Sequence, residues 1–175
     1  MSVHWPRPLT MRLMAAEHNA QMRLVPRLRV AAYVLRVTPD GVQLLVFDHV
    51  DHPAAGTQVP AGGVKPDETL HDAVLREVAE ETGLHDISLV REIGAEHKPH
   101  PETGQPRHTT YFHLRTPAHT PAAWQHTVTG TGQDSDMRFA CRFVLLPLPA
   151  HLADHQDALL NRIDPTWTTR PQPIQ

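Results

Sequence analysis

The chain has 175 residues, 40% of them hydrophobic, one cysteine and a net charge of −3 with its 14 histidines neutral. That length and composition point to a single soluble domain with a closed core, and the charge excludes an extended basic surface for nucleic acid. The lone Cys141 excludes an intramolecular disulfide and points to a reducing, cytoplasmic setting, while no apolar run is long enough to span a membrane.

Residues 1–26 read as an extension, with Pro6, Pro8 and Pro26 around a short helix over 10–22 and without the apolar segment of a secretory leader. Loosely alternating apolar residues predict strands over 28–37 and 42–47, joined into a hairpin by the turn signal Pro39-Asp40-Gly41. Residues 48–56 form a loop that offers His49, Asp51 and His52 to a ligand. Gln58-Val59 begins a short strand that runs into Pro60-Ala61-Gly62-Gly63. Leu70, Ala73, Val74 and Val78 then recur at helical spacing, with Thr69 or Asp67 as the cap and Gly83 as the stop.

Strands follow over 87–97 and 108–115, on either side of a Pro- and Gly-rich turn. Residues 124–129 and 137–146 make a second pair, residues 151–163 read as a terminal helix, and 164–175 as a Pro-rich tail. The pattern is α+β, with one domain over residues 27–163.

The chemistry concentrates between Gly62 and Leu84, in GGVKPDETLHDAVLREVAEETGL. Glu77, Glu80 and Glu81 stand at i, i+3 and i+4, on one face of the helix. Three carboxylates on one face repel unless water or a cation screens them. A solvated helix face is the bland reading; a hard divalent cation, Mg²⁺ or Mn²⁺, is the sharper one. Gly62 and Gly63 let backbone approach a phosphate or expose a carbonyl to a metal. Glu68, eight residues before Arg76, is placed to pair with that guanidinium in a bidentate way and fix the loop against the helix.

This stretch resembles the Nudix signature G-x5-E-x7-R-E-U-x-E-E-x-G-U, where U is apolar. Gly62, Glu68, Arg76, Glu77, Val78, Glu80, Glu81, Gly83 and Leu84 fill every constrained position. The resemblance implies an α/β/α sandwich with a mixed central sheet, one signature loop-helix and a C-terminal helix. It implies metal-dependent hydrolysis of a diphosphate bond in a nucleoside diphosphate-linked substrate, ADP-ribose or a nucleotide sugar. Glu77, Glu80, Glu81 and the carbonyl of Ala61 would hold Mg²⁺ or Mn²⁺, Glu77 or Glu81 would act as general base, and Glu68 and Arg76 would support the loop. An additional acid is expected from a later loop, where Asp134 and Asp136 stand; loop solvation is the competing reading, and Glu96 and Glu102 compete for the role.

His49, His52 and Trp124 are candidate substrate contacts, against surface and hairpin-packing readings of the same residues. Pro99, fifteen residues after Leu84, matches a mark of ADP-ribose-directed members. The alternatives are a nucleoside triphosphate, dinucleoside polyphosphate or RNA 5′-end pyrophosphohydrolase, and a catalytically silent nucleotide-sensing module, which would ordinarily have lost signature glutamates. Relatives often pair as homodimers, and no residue here specifies an interface.

Overall fold

The computed structural model describes residues 25–130 and 135–167. The helix expected over residues 10–22, Asp134 and the end of the tail lie outside them. In chain order the elements are β1 (Arg27–Thr38), β2 (Gly41–His49), β3 (Ala61–Gly63), α1 (Leu70–Thr82), β4 (Ser88–Pro99), β5 (Pro106–Arg115), β6 (Ala123–Thr127) and β7 (Arg138–Leu145). The sheet runs β4-β5-β1-β2-β7-β6, with β3 also paired to β1. Every pairing is antiparallel except β1 with β5, which makes the sheet mixed. No helix among the described residues is long and apolar enough to cross a membrane.

β1 is the strand on which both layers rest. Residues 30–35 are each no more than 3% exposed. Val30, Ala32 and Val34 pack on one face with Ala73, Val74 and Val78 of α1 and with Phe47, Phe112 and Phe139. Ala31, Tyr33 and Leu35 pack on the other with Val59, Leu148, Leu152 and Leu160. A strand buried on both faces carries a continuous apolar run, which is why its sequence alternates only loosely.

Tyr33 ties the second face to the loop ahead of β3. Its hydroxyl donates to the Gln156 carbonyl at 2.6 Å and accepts from the Leu159 N–H at 3.2 Å. The Gln156 side chain in turn accepts from the Val59 N–H at 2.8 Å, and the Ala32 N–H donates to the Pro60 carbonyl at 2.8 Å. These bonds fix where Ala61 enters the sheet.

Two expected elements differ. Gln58 forms only an isolated bridge with Phe47, and the ladder to β1 begins at Ala61. Pro60 lies between them and has no N–H to give a ladder. The terminal helix expected over residues 151–163 is a succession of single turns, with 3₁₀ turns at Ala153–His155 and Leu160–Arg162. Asp154 and His155 take φ of 52° and 51°, left-handed values that no continuous helix accommodates. Trp167, beyond these turns, still packs against the second cluster.

Tyr33→Phe leaves the buried Gln156 carbonyl and Leu159 N–H without their partner. It is expected to cost about 1–3 kcal/mol in urea denaturation; an unchanged midpoint would show that Tyr33 does not hold the C-terminal turns to the sheet.

Candidate active site

Helix α1 is fastened at both ends. The Thr69 hydroxyl accepts from the Asp72 N–H at 3.1 Å, so Thr69 and not Asp67 is the cap. Asp67 instead takes φ 62° in the turn before it. At the other end Gly83 is left-handed at φ 73° and its N–H closes on the Ala79 carbonyl. Two more terminal carbonyls are met from β6 and the segment after it: the Trp124 indole N–H donates to Thr82 at 2.7 Å, and the Thr129 N–H to Glu80 at 3.0 Å. His126 Nε2 also lies 3.1 Å from the Glu80 carbonyl.

Arg76 organises the face that remains. Its Nε and Nη2 donate to the two oxygens of Glu68 at 2.6 and 2.9 Å, and Nη2 also reaches the Gly63 carbonyl at 2.9 Å. Its Nη1 donates to Glu77 at 2.8 Å and to Glu80 at 3.1 Å. Glu68 additionally accepts from the Lys65 N–H at 2.9 Å. Hydrogen bonding from Arg76 holds the Glu68 carboxyl at about 2, well below its ordinary 4.5. Glu77 moves the other way: burial raises it, and Arg76 only partly opposes that.

Glu77 and Glu81 close on the loop from the helix side. Glu81, 5% exposed, accepts from the Ala61 N–H at 2.9 Å. A Cβ on residue 62 would overlap the Glu77 carboxyl group, so glycine lets that carboxyl lie against the loop backbone where it now stands. Gly130, at φ 113°, meets Glu80 in a similar way: a Cβ there would lie 2.9 Å from its carboxyl carbon. Gly62, Glu77, Glu80 and Glu81 line a cleft of about 320 Å³, with Arg27 and Arg29 of β1 and Lys65 among its other lining residues. Arg29 donates a long bond, 3.4 Å, to the Ala61 carbonyl. Burial lowers its pKa, and the nearby charges of Arg107 and Arg27 add to the effect.

Sequence reasoning missed Arg27, Arg29 and Lys65. The signal available was two arginines at i and i+2 on a strand entering an apolar run, but only the antiparallel register of β1 with β3 brings them to the glycine loop.

The other candidates lie elsewhere. His49 and His52 line a neighbouring depression of about 190 Å³ with Asp51, Asp136 and Arg138, and Ser135 is shared with the cleft. Trp124 does not line the cleft; it caps α1 and packs against the core. Glu96 pairs with Lys98 at 3.3 Å on β4, and Glu102 sits in the β4–β5 turn, its N–H donating to His100.

Among the described residues no three His, Cys, Asp or Glu side chains converge as a metal-binding group. The reason is visible in the bonding, because Arg76 engages both Glu77 and Glu80. The donors are nonetheless all hard oxygens, and Glu77 is desolvated by burial. That chemistry suits a hard divalent cation better than a soft one.

A family model described as NUDIX domain matches residues 27–159. Among solved structures of similar fold, an Ap4A hydrolase of C. elegans has a TM-score of 0.57 and 16% identity, over 81% of this chain and 98% of that one. The NUDIX domain of Shewanella oneidensis NrtR complexed with ADP ribose has a TM-score of 0.58 and 16% identity, over 93% and 100%. A UDP-X diphosphatase has a TM-score of 0.56 and 13% identity, over 86% and 71%. None of the curated proteins matches the sequence.

Arg76→Ala is expected to destabilise the fold by about 1.5–3 kcal/mol at neutral pH, since it strips charged hydrogen bonds from Glu68, Glu77 and the Gly63 carbonyl. The Glu68 contribution is complete above 4.5 and is lost as the pH falls toward about 2. Melting temperatures measured from pH 7 to pH 2 should therefore drop less across that acid window in Arg76→Ala than in the wild type. Equal acid sensitivity in the two proteins would contradict the pairing.

Proposed function

This chain belongs to the NUDIX domain family, a family of pyrophosphohydrolases, and we propose that it hydrolyses the diphosphate bond of a nucleoside diphosphate-linked substrate with the help of Mg²⁺ or Mn²⁺. The observation that carries this reading is the contact between Glu77 and Glu81 and the Ala61-Gly62 backbone, so close that a Cβ at residue 62 would displace the Glu77 carboxyl. Such closeness has no packing purpose, because the groups brought together are polar. It brings two carboxylates of α1 beside the backbone of the glycine loop, and oxygen donors of that kind are what a hard cation would take.

Glu77, Glu80, Glu81 and the Ala61 carbonyl are the groups that would hold the cation. When bound, it would polarise the diphosphate and lower the pKa of the attacking water. Glu77 or Glu81 accepts the proton of that water. Arg76 and Glu68 position the loop and the helix face, and the Gly63 carbonyl joins that clasp by accepting from Arg76.

The substrate reading rests on shape. The cleft meets a second depression at Ser135, lined by His49 and His52, so space exists for a group beyond the diphosphate. Structures of similar fold are named for Ap4A hydrolysis, for UDP-X cleavage and for an ADP ribose complex. ADP-ribose or a nucleotide sugar fits a diphosphate flanked on both sides. Pro99 adds little to this, because it ends β4 opposite Pro106 and lies outside the cleft. Dinucleoside polyphosphates are the second reading, supported by the same two-part space. The buried thiol of Cys141 supports a reducing, cytoplasmic setting.

A panel of ADP-ribose, nucleotide sugars, Ap4A and nucleoside triphosphates, each with Mg²⁺ and with Mn²⁺, tests the reading. Release of AMP and a sugar phosphate is the expected result; inorganic diphosphate or shortened polyphosphates would favour the second reading, and no turnover would remove both. Glu81→Gln is expected to lower turnover by about 10²–10⁴-fold with the melting temperature little changed. Wild-type rates in that variant would end the assignment of Glu81.

A further inference from the structure

The carboxylates of the cleft have their partners in the chain: Arg76 serves Glu68, Glu77 and Glu80, Lys65 also reaches Glu80, and the Ala61 N–H serves Glu81. Among the described residues neither Arg27 nor Arg29 makes an ion pair. Arg29 is half-buried, and its guanidinium donates the long hydrogen bond to the Ala61 carbonyl. Its surroundings carry charge of both signs: Arg27 lies two residues before it, Arg107 stands opposite Arg27 in the parallel β1–β5 register, and Glu81 and Glu77 act on it from α1. The contrast with Arg107 is instructive, because that buried guanidinium is matched by Asp154 at 2.6 Å. Arg36, also buried, lies over the Phe143 ring and donates to Gln43 and Thr120. Glu81 and Glu77 offset part of the cost of burying Arg29, but desolvation and the positive neighbours prevail, and an anion arriving in the cleft would offset more of it.

We propose that Arg29, with Arg27 beside it, is a diphosphate clamp that grips the substrate's phosphate oxygens from the β1 side, opposite the carboxylates of α1, and that it does so without the metal. The inference rests on the hydrolase reading above and names the group it leaves unassigned, the one that holds the anion. Guanidinium forks match phosphate oxygens in a bidentate manner, and two of them at i and i+2 on one strand favour neighbouring phosphates over a lone one. Gly63 keeps this approach open, since a Cβ there would lie 3.0 Å from the Arg27 guanidinium. The clamp therefore selects substrates with at least two adjacent phosphates, and leaves the choice of the flanking groups to the rest of the cleft.

The test is calorimetric titration of inorganic pyrophosphate, and separately of ADP, into the full chain with excess EDTA. The wild type should bind both, Arg29→Gln should bind each at least tenfold more weakly, equivalent to about 1.4 kcal/mol, and Arg29→Lys should recover only part of the loss because an ammonium lacks the fork. In steady-state assays Arg29→Gln should raise KM at least tenfold while kcat stays within threefold. The melting temperature of the metal-free variant should change little, since relief of repulsion from Arg107 and Arg27 is set against lost attraction to Glu81 and Glu77; if Arg29→Gln does not fold, Arg29→Lys carries the same comparison. No pyrophosphate binding by the wild type in EDTA, equal affinities in wild type and Arg29→Gln, or a kcat loss at constant KM would each overturn the clamp. Arg29-dependent pyrophosphate binding in a protein that turns over no substrate would instead overturn the hydrolase reading and keep the clamp.

Discussion

The guanidinium of Arg76 reaches four groups that come from different parts of the chain. Two of its nitrogens hold Glu68 of the loop, one of these also holds the Gly63 carbonyl, and the third reaches Glu77 and Glu80 on its own helix. Only arginine has donors enough and in the right plane for this; a lysine ammonium has no fork with which to span a carboxylate and a carbonyl together. The consequence is a loop without regular structure between Val64 and Thr69 that is nevertheless fixed against α1. The same contacts keep like-charged glutamates on one helix face in the absence of any ion, because one cation is shared among them.

That clasp would be of little use if the loop entered at a variable height. The second core prevents this. Tyr33 and Gln156 bind each other's segments and, through the Val59 N–H, set the point at which the chain turns into β3. β1 thus connects the two layers: its one face supports α1, its other supports the C-terminal turns, and its first residues carry arginines to the rim of the cleft. Carboxylates and guanidiniums carried to one cleft by separate elements would suit a reaction in which a cation and a phosphate chain must meet.

What could be read from the sequence was what short-range spacing encodes. Glu77, Glu80 and Glu81 share a face because the helix repeats every 3.6 residues, and the cap, the stop and the Glu68–Arg76 partnership all lie within a few turns of one helix. The strands of the sheet were legible from composition and turn residues, to within a few positions at their ends. What was not legible depends on pairing between distant segments. Arg27 and Arg29 reach the cleft through the register of β1 with β3. Trp124 looked available to a nucleobase, yet the orphan carbonyl of Thr82 at the end of α1 takes its indole N–H. The terminal segment has a helical composition, and its left-handed Asp154 is held by Arg107 and Lys98 from the β4–β5 hairpin, ion pairs that no local pattern announces.

The account depends on the carboxylate face of α1 being a seat for a divalent cation rather than an ordinary charged surface. Titration of Mn²⁺ followed by the loss of its free electron paramagnetic resonance signal measures this without any substrate. The wild type should take up the ion at millimolar concentration or below, and Glu77→Gln should weaken that uptake at least tenfold. Absence of uptake by the wild type, or uptake that Glu77→Gln leaves untouched, would contradict it.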